Sequence, residues 1–382
     1  MNSISYAVSE HEKCETSTKA KDTGSSVRHG DSPGEQSKTG NRGLNNNNVF
    51  RLTDREKSIL SDALAQINYD DSGNSIYINT VKNVALSVLP KRVLAALQEQ
   101  KASLRPCPYL VFDNMPTDDE VFGAPTSLET GSLHKSGHIS ENLVIAIASL
   151  IGEPYSISFE GMDIVNNLTA ERGKEKDYTG LGSDVELDFH IENAALKFIK
   201  DLNLSPTGLV LTGVRQDPAM PKTRIADVGE AIRLLDQRDL AVLRGDNYCL
   251  KVPYRWRNAQ VGQSFETDPV PLISGCTIQP EAHVAFYGDM VTPLSDEADR
   301  AFRNFYEAIK TVSFGVDLTP GRIVCIDNRI AVHSRDSFKA NYDDNGLPMR
   351  WIQRVFVTST LWNHRSLRSV KGRVFEPLLH AV

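Results

Sequence analysis

The sequence predicts a mainly β protein with flanking helices, built on an antiparallel double-sheet barrel of which the jelly roll is one form. Three observations predict it. Helical periodicity opens the ordered part of the chain, short apolar runs of strand length dominate the remainder, and long polar stretches separate those runs. No internal repeat points to a solenoid or a propeller.

Residues 1–48 are rich in Ser, Gly, Asn, Lys and Glu and end in Asn45-Asn46-Asn47-Asn48. Such a segment cannot bury enough apolar area to offset its ordering entropy, so a disordered tail is expected, with a single domain over 49–382 behind it. Order is expected from Phe50. Thr53-Asp54-Arg55-Glu56 has the spacing of a capping box, and Ile59, Leu60, Leu64 and Ile67 recur behind it at helical intervals. Tyr109 to Phe112 reads as a short strand. Leu143 to Ile151 reads as a buried helix stopped by Gly152. Phe159 to Gly182 is polar and irregular, a loop long enough to cover a site. Leu209 to Val214 is a strand. Asp227-Val228-Gly229-Glu230 opens a helix carrying Ile232, Leu234 and Leu235. Val284 to Tyr287 is a strand, Asp299 to Val312 a helix, and Ile323 to Ile326 and Ile352 to Thr358 are the last two strands.

The 382 residues are 40% hydrophobic and 24% charged, and can bury a sizeable core outside the tail. The net charge of -7 gives no reason to expect nucleic acid or an anionic membrane as partner. No apolar stretch approaches the roughly 18 residues that span a bilayer. No basic region leading into an apolar core marks a secretory signal. The five cysteines, Cys14, Cys107, Cys249, Cys276 and Cys325, form no Cys-x-x-Cys pair. An odd, scattered set fits free thiols in a reducing cytoplasm. Nothing in the sequence reports on oligomeric state.

Chemistry concentrates in two places. Glu186-Leu187-Asp188-Phe189-His190 alternates like a strand and leads into Ile191-Glu192. On a strand His190 and Glu192 would share a face about 7 Å apart, close enough to reach one ion. His333, in Ala331-Val332-His333-Ser334-Arg335, would be brought in by the fold. Two imidazoles and a carboxylate are the facial triad that holds non-haem Fe(II) and leaves positions open. Zinc accepts the same set with a water in the fourth position, so the triad alone does not separate the metals, and a surface His-x-Glu pair is commonplace. Arg350 and Arg354 lie four apart in Met349-Arg350-Trp351-Ile352-Gln353-Arg354 and would also share a strand face. Their planar forks match carboxylates, although two such arginines on an edge strand would simply be solvated.

Taken together these segments resemble the clavaminate synthase-like group of Fe(II)/2-oxoglutarate oxygenases, and within it the hydroxylases of free basic amino acids such as lysine and arginine. The resemblance covers about residues 85 to 360. It runs through Gly152-Glu153-Pro154, Gly182-Ser183, His190 with Glu192, Thr223-Arg224-Ile225-Ala226-Asp227-Val228, Pro320-Gly321-Arg322, His333-Ser334-Arg335 and Arg350-Trp351-Ile352-Gln353-Arg354. It implies a double-stranded β-helix core. It implies His190, Glu192 and His333 as iron ligands, with Fe(II) as cofactor and 2-oxoglutarate and O2 as co-substrates. Arg350, helped by Thr223, would hold the distal carboxylate of 2-oxoglutarate. Arg354 would hold the substrate's α-carboxylate. Related halogenases carry a small residue in place of the carboxylate ligand, so Glu192 favours hydroxylation.

The resemblance also bears on the substrate. Arginine hydroxylases commonly place two acids, one residue apart, where this chain has Tyr287-Gly288-Asp289. A single acid suits an ammonium better than a guanidinium, which favours L-lysine, or else ornithine, over arginine. Glu160, Asn166 and Asn167, with Ser183, are the expected further contacts, and Asn193 would brace the ligand strand. The bland reading leaves Asp289 in a turn. The expected reaction is hydroxylation at C3 or C4 of the free amino acid with release of succinate and CO2. The alternatives are an arginine, ornithine or carrier-bound substrate, a zinc hydrolase on the same His2Glu set, and a metal-free binding module.

Overall fold

Side-chain alternation along the central strands divides the chain between two cores. The computed structural model describes residues 44–126, 131–198, 203–259 and 266–376. All of them belong to one compact unit, Asn41–Val382. The larger sheet has the order β1 (Val49–Arg51), β2 (Tyr109–Asp113), β13 (Ile323–Asp327), β6 (Gly208–Arg215), β15 (Trp351–Thr358), β3 (Glu153–Ile157), β17 (Val374–Glu376), β16 (Arg368–Lys371). A ninth strand, β4 (Asn166–Thr169), also pairs with β15. The smaller sheet has the order β12 (Phe314–Val316), β7 (Thr223–Asp227), β14 (Ala331–Arg335), β5 (Leu187–His190). Two hairpin-like pairs complete the set: β8 (Tyr248–Leu250) with β11 (Val291–Pro293), and β9 (Ile273–Gly275) with β10 (Pro280–Ala282).

Because neighbouring residues on a strand face opposite ways, each central strand serves two cores. Tyr109, Val111, Leu209, Leu211, Val324, Ile326, Ile352 and Phe356 join one core with Phe189, Ile225 and Val332 of the smaller sheet. Leu110, Phe112, Val210, Ile323, Cys325, Val355 and Val357 face the other way. There they meet α1 (Asp54–Ala65), α2 (Ser75–Val88), α3 (Lys91–Ala102) and α4 (Ile139–Ile151). A sheet buried on both faces reads as continuous apolar runs, which is why these strands stand out in the sequence. On the smaller sheet sit α5 (Val228–Ile232) and α8 (Asp296–Val312), with α6 (Gln237–Leu243) packed on α8, while α7 (Tyr254–Ala259) lies between β8 and β9 in the chain. The architecture is the expected mainly β jelly roll with flanking helices.

Several elements obey their sequence signals closely. Thr53 accepts from the Glu56 amide while the Glu56 carboxylate accepts from the Thr53 amide, completing the capping box of α1. Asp227 caps α5 through the amides of Gly229 and Glu230. Gly152 ends α4 for a reason of space: a Cβ there would stand 2.6 Å from the Thr358 carbonyl oxygen.

Other expectations are corrected. Most of the expected tail, residues 1–43, lies outside the described residues, but order begins before Phe50. Asn46–Asn48 form a 3-10 turn capped by the Asn45 side chain, and the Asn45 amide donates to the Tyr109 hydroxyl at 2.9 Å. The polar stretch from Phe159 to Gly182 is not all loop, since β4 pairs there with β15. Its asparagines defeat the apolar pattern because they satisfy buried partners: Asn166 donates to Ser156, and Asn167 accepts from the Trp351 indole. Val284 to Tyr287 makes only an isolated bridge, Ala285 to His190, before Gly288 turns the chain at a φ of 56°. Helix α5 ends at Ile232, leaving Leu234 exposed beyond it.

Cys107, Cys249, Cys276 and Cys325 carry free thiols, and Cys14 lies outside the described residues. No helix among the described residues is long and apolar enough to cross a membrane.

Candidate active site

His190 and His333 are direct cross-strand partners, on β5 and β14. Their ring centroids lie 4.4 Å apart. The Nδ1 of His190 is 2.7 Å from the backbone oxygen of Asp188, to which it donates, and this leaves the Nε2 lone pair free to ligate. Glu192 reaches the same place by a different route from the one its spacing suggests. Strand β5 ends at His190, so the pleat does not carry the carboxylate inward. Instead Asn328 clamps the backbone of Glu192, accepting from its amide at 2.8 Å and donating to its carbonyl at 3.1 Å. The Ser205 hydroxyl donates to the same carbonyl at 3.1 Å. Asn193 comes next at a φ of 55°, and its side chain has no hydrogen-bond partner among the described residues. Bracing therefore falls to Asn328 and not to Asn193.

One ligand atom from each of His190, Glu192 and His333 lies within 4.8 Å of the others. The set of two imidazole nitrogens and one carboxylate oxygen fits Fe(II). Burial, and after it the charge of His333, lowers the His190 pKa to about 4, so its imidazole is neutral and ready to ligate at neutral pH. Burial opposes ionisation of Glu192, but Arg354 and the two histidines hold its carboxyl well below the usual range.

The walls of the cavity above these residues are strongly cationic. Strand β15 and the residue before it place Arg350, Ile352 and Arg354 on one face, and all three line the cavity. Arg354 is buried between two acids, 2.7 Å from Glu192 and 2.9 Å from Glu160. Its Nε has no acceptor among the described residues. Arg350 is buried with no acceptor among the described residues, and burial together with the charge of Arg335 pushes its pKa down to about 9. Arg335 also lines the cavity, and burial lowers it to about 10. Thr223 pairs with Arg335 in register, so its side chain belongs to the same wall. Two buried guanidiniums short of counter-charge form a site for an anion.

Glu160 and Tyr287 line the same cavity as the triad and the arginines, but Asp289 and Ser183 do not. The Asp289 carboxylate is half exposed and already engaged. Lys251 and Arg257 each approach it at 3.0 Å, and the Tyr254 hydroxyl donates to it at 2.6 Å. Ser183 is buried behind the wall, where its carbonyl accepts from Arg335 at 3.2 Å. Asn166 and Asn167 brace β15. Sequence reasoning passed over four residues of this site: Arg335, Asn328, Tyr178 and Tyr254. Arg335 had a signal, because it stands two after His333 and so shares its face. Asn328 had none, since it acts across the fold on a backbone 136 residues away.

Residues 140–356 match the family model described as taurine catabolism dioxygenase TauD, TfdA family. The chain is 27% identical over 317 residues to the enduracididine beta-hydroxylase of Streptomyces hygroscopicus, covering 78% of this chain and 90% of that one. It is 26% identical over 300 residues to the L-lysine 3-hydroxylase of Catenulispora acidiphila, covering 76% and 78%. The solved structure of asparagine oxygenase with Fe(II), 3-hydroxyasparagine and succinate superposes with a TM-score of 0.73, at 22% identity, over 86% of this chain and 99% of that one. The chain belongs to the TauD/TfdA family and is a clavaminate synthase-like Fe(II)/2-oxoglutarate oxygenase.

Proposed function

We propose that this oxygenase hydroxylates an unactivated C–H, at C3 or C4, of a free basic L-amino acid, with L-lysine the first substrate to test. One observation carries the reading: the His190, Glu192 and His333 cluster opens into a cavity whose wall holds a buried Arg350 with no acceptor among the described residues. Iron bound there with 2-oxoglutarate and O2 supplies the oxidation that turns C–H into C–OH, with succinate and CO2 released.

Each residue then has a defined task. Arg350, with Thr223, binds the distal carboxylate of 2-oxoglutarate, and Arg335 adds positive charge beside them. Arg354 offers its buried Nε–H to the substrate's α-carboxylate. Glu160, fixed by Arg354, accepts from the α-ammonium. This ordering of charges holds one carbon at the metal and excludes the others, which is the protein's share of the catalysis. The similarity to a lysine and an enduracididine hydroxylase supports an amino-acid substrate.

The test is an anaerobic incubation with Fe(II), then addition of 2-oxoglutarate, air and separate L-amino acids. Succinate formed together with a gain of one oxygen on lysine is the expected result. Turnover with arginine or ornithine alone would move the substrate. Turnover only with a carrier-bound amino acid would remove the role given to Arg354.

A further inference from the structure

Three tyrosines from separate segments meet in the cavity beside the candidate metal ligands. Tyr178 comes from the stretch before β5, Tyr254 from α7 and Tyr287 from the turn before β11. Their ring centroids are 6.3 to 6.5 Å apart, and their planes lie within 11° to 35° of one another. The group begins at the metal site, because the Tyr287 ring meets His190 edge-on at 5.3 Å. Pro253, Met290 and Leu187 line the same region, so little water competes for the ring faces.

Asp289 stands behind these rings and not among them. Its charge is answered by both Lys251 and Arg257, so a substrate cation would meet an occupied acid with two cations beside it. What Asp289 does is hold Tyr254 by its hydroxyl. Arg257 lays a guanidinium 4.1 Å over the Tyr254 ring, so that ring already carries a cation and the rings left for a substrate cation are those of Tyr178 and Tyr287.

Resting on the amino-acid hydroxylase reading, we infer that the far end of the substrate side chain is received on the rings of Tyr178 and Tyr287, with Tyr254 backing them. A cationic end group is selected there by cation–π contact and not by an ion pair with Asp289. The preference this creates is for positive charge on an extended chain, with no demand for an N–H donor.

The experiment compares succinate formation and KM for L-lysine, Nε-trimethyl-L-lysine and L-norleucine, three end groups on one chain length. The wild-type protein should favour both cationic substrates over norleucine by about tenfold in KM. Tyr178 is partly exposed, so its replacement is safe for folding. Tyr178→Leu should shrink that gap, Tyr178→Phe should keep it, and Asp289→Asn should keep it, with the KM for 2-oxoglutarate steady in all three. A gap that survives Tyr178→Leu but disappears in Asp289→Asn overturns the inference and leaves the hydroxylase reading standing. So does norleucine used as well as lysine. No succinate from any free basic amino acid overturns both.

Discussion

Arg354 Nη1 lies 2.7 Å from Glu192 Oε1, so the arginine proposed to meet the substrate also touches the carboxylate of the candidate metal cluster. The same guanidinium reaches Glu160 at 2.9 Å. On the proposed assignment, substrate anchoring and metal ligation share one buried charge network. A substrate carboxylate arriving at Arg354 would change the field at Glu192 directly.

Arg354→Ala should raise the amino-acid KM by at least tenfold, while the KM for 2-oxoglutarate stays within about threefold. It should also cost about 3 kcal/mol of stability, since removing one partner strands two buried carboxylates. Steady-state kinetics with each substrate varied, together with urea unfolding, checks both. An effect confined to 2-oxoglutarate would exchange the tasks of Arg350 and Arg354.

Arg350 has the opposite profile. Its cation is buried beside that of Arg335 with no acceptor among the described residues, so it lowers stability in the ligand-free protein. Arg350→Met should raise the KM for 2-oxoglutarate about a hundredfold and leave the amino-acid KM near its starting value. The same change should raise the melting temperature of the ligand-free protein. 2-Oxoglutarate should raise the melting temperature of the wild type much more than that of the variant. A variant melting lower than the wild type without ligand would show that Arg350 has a structural partner.

Replacing His190, Glu192 or His333 by Ala should abolish succinate formation and lower the iron content of protein loaded anaerobically. Elemental analysis and succinate assay read the two losses separately. Full turnover in any one variant would remove that residue from the metal site.

The central strands were legible because they depend on local pattern, and the triad because its three residues stand in segments that resemble a known oxygenase family. Strands buried on both faces must be apolar throughout, and His190 with Glu192 is a near pair. The cationic wall was half legible: Arg350 and Arg354 were found by face-sharing, and the same reasoning applied to His333 would have found Arg335. What could not be read was compensation. Asp289 looks available in the sequence, and only the fold brings Lys251 and Arg257 to it across 38 and 32 residues. Helices α2 and α3 escaped for a related reason. Asn74 caps α2 in the middle of a polar turn, and α3 buries only Val93 and Leu97.

Two buried histidines outside the metal cluster set an acid limit on stability. His364 packs against Tyr155 and Phe375, and burial lowers it to about 4. Burial and Lys197 lower His283 to about 3. Both stay neutral in the fold where the unfolded chain would take up a proton. Stability is therefore full above about pH 6.5 and falls as pH drops towards 4 for His364 and 3 for His283. The full loss should be on the order of 3 to 5 kcal/mol for each residue. His364→Phe should flatten the decline between pH 6.5 and 4 in urea unfolding series. A slope unchanged in that variant would assign the acid sensitivity elsewhere.

Lys135 has a fully buried ammonium, 2.6 Å from Glu141 and 3.0 Å from Asp118. Asp118 accepts from the amides of Ile139 and Ser140 at the start of α4, and Glu141 accepts from Gln353 on β15. One cation thus fastens the chain before α4 to the helix, and the helix to the strand residue next to Arg354. Lys135→Ala would leave two carboxylates buried without a counter-ion, which should cost about 3 to 5 kcal/mol. Lys135→Met with Glu141→Gln and Asp118→Asn removes the charges while keeping the volumes, and should recover most of that loss. If the network only supports the fold, the triple variant should regain the wild-type KM for the amino acid along with its stability. A KM that stays raised at restored stability would mean that the charge itself positions β15, and through it Arg354.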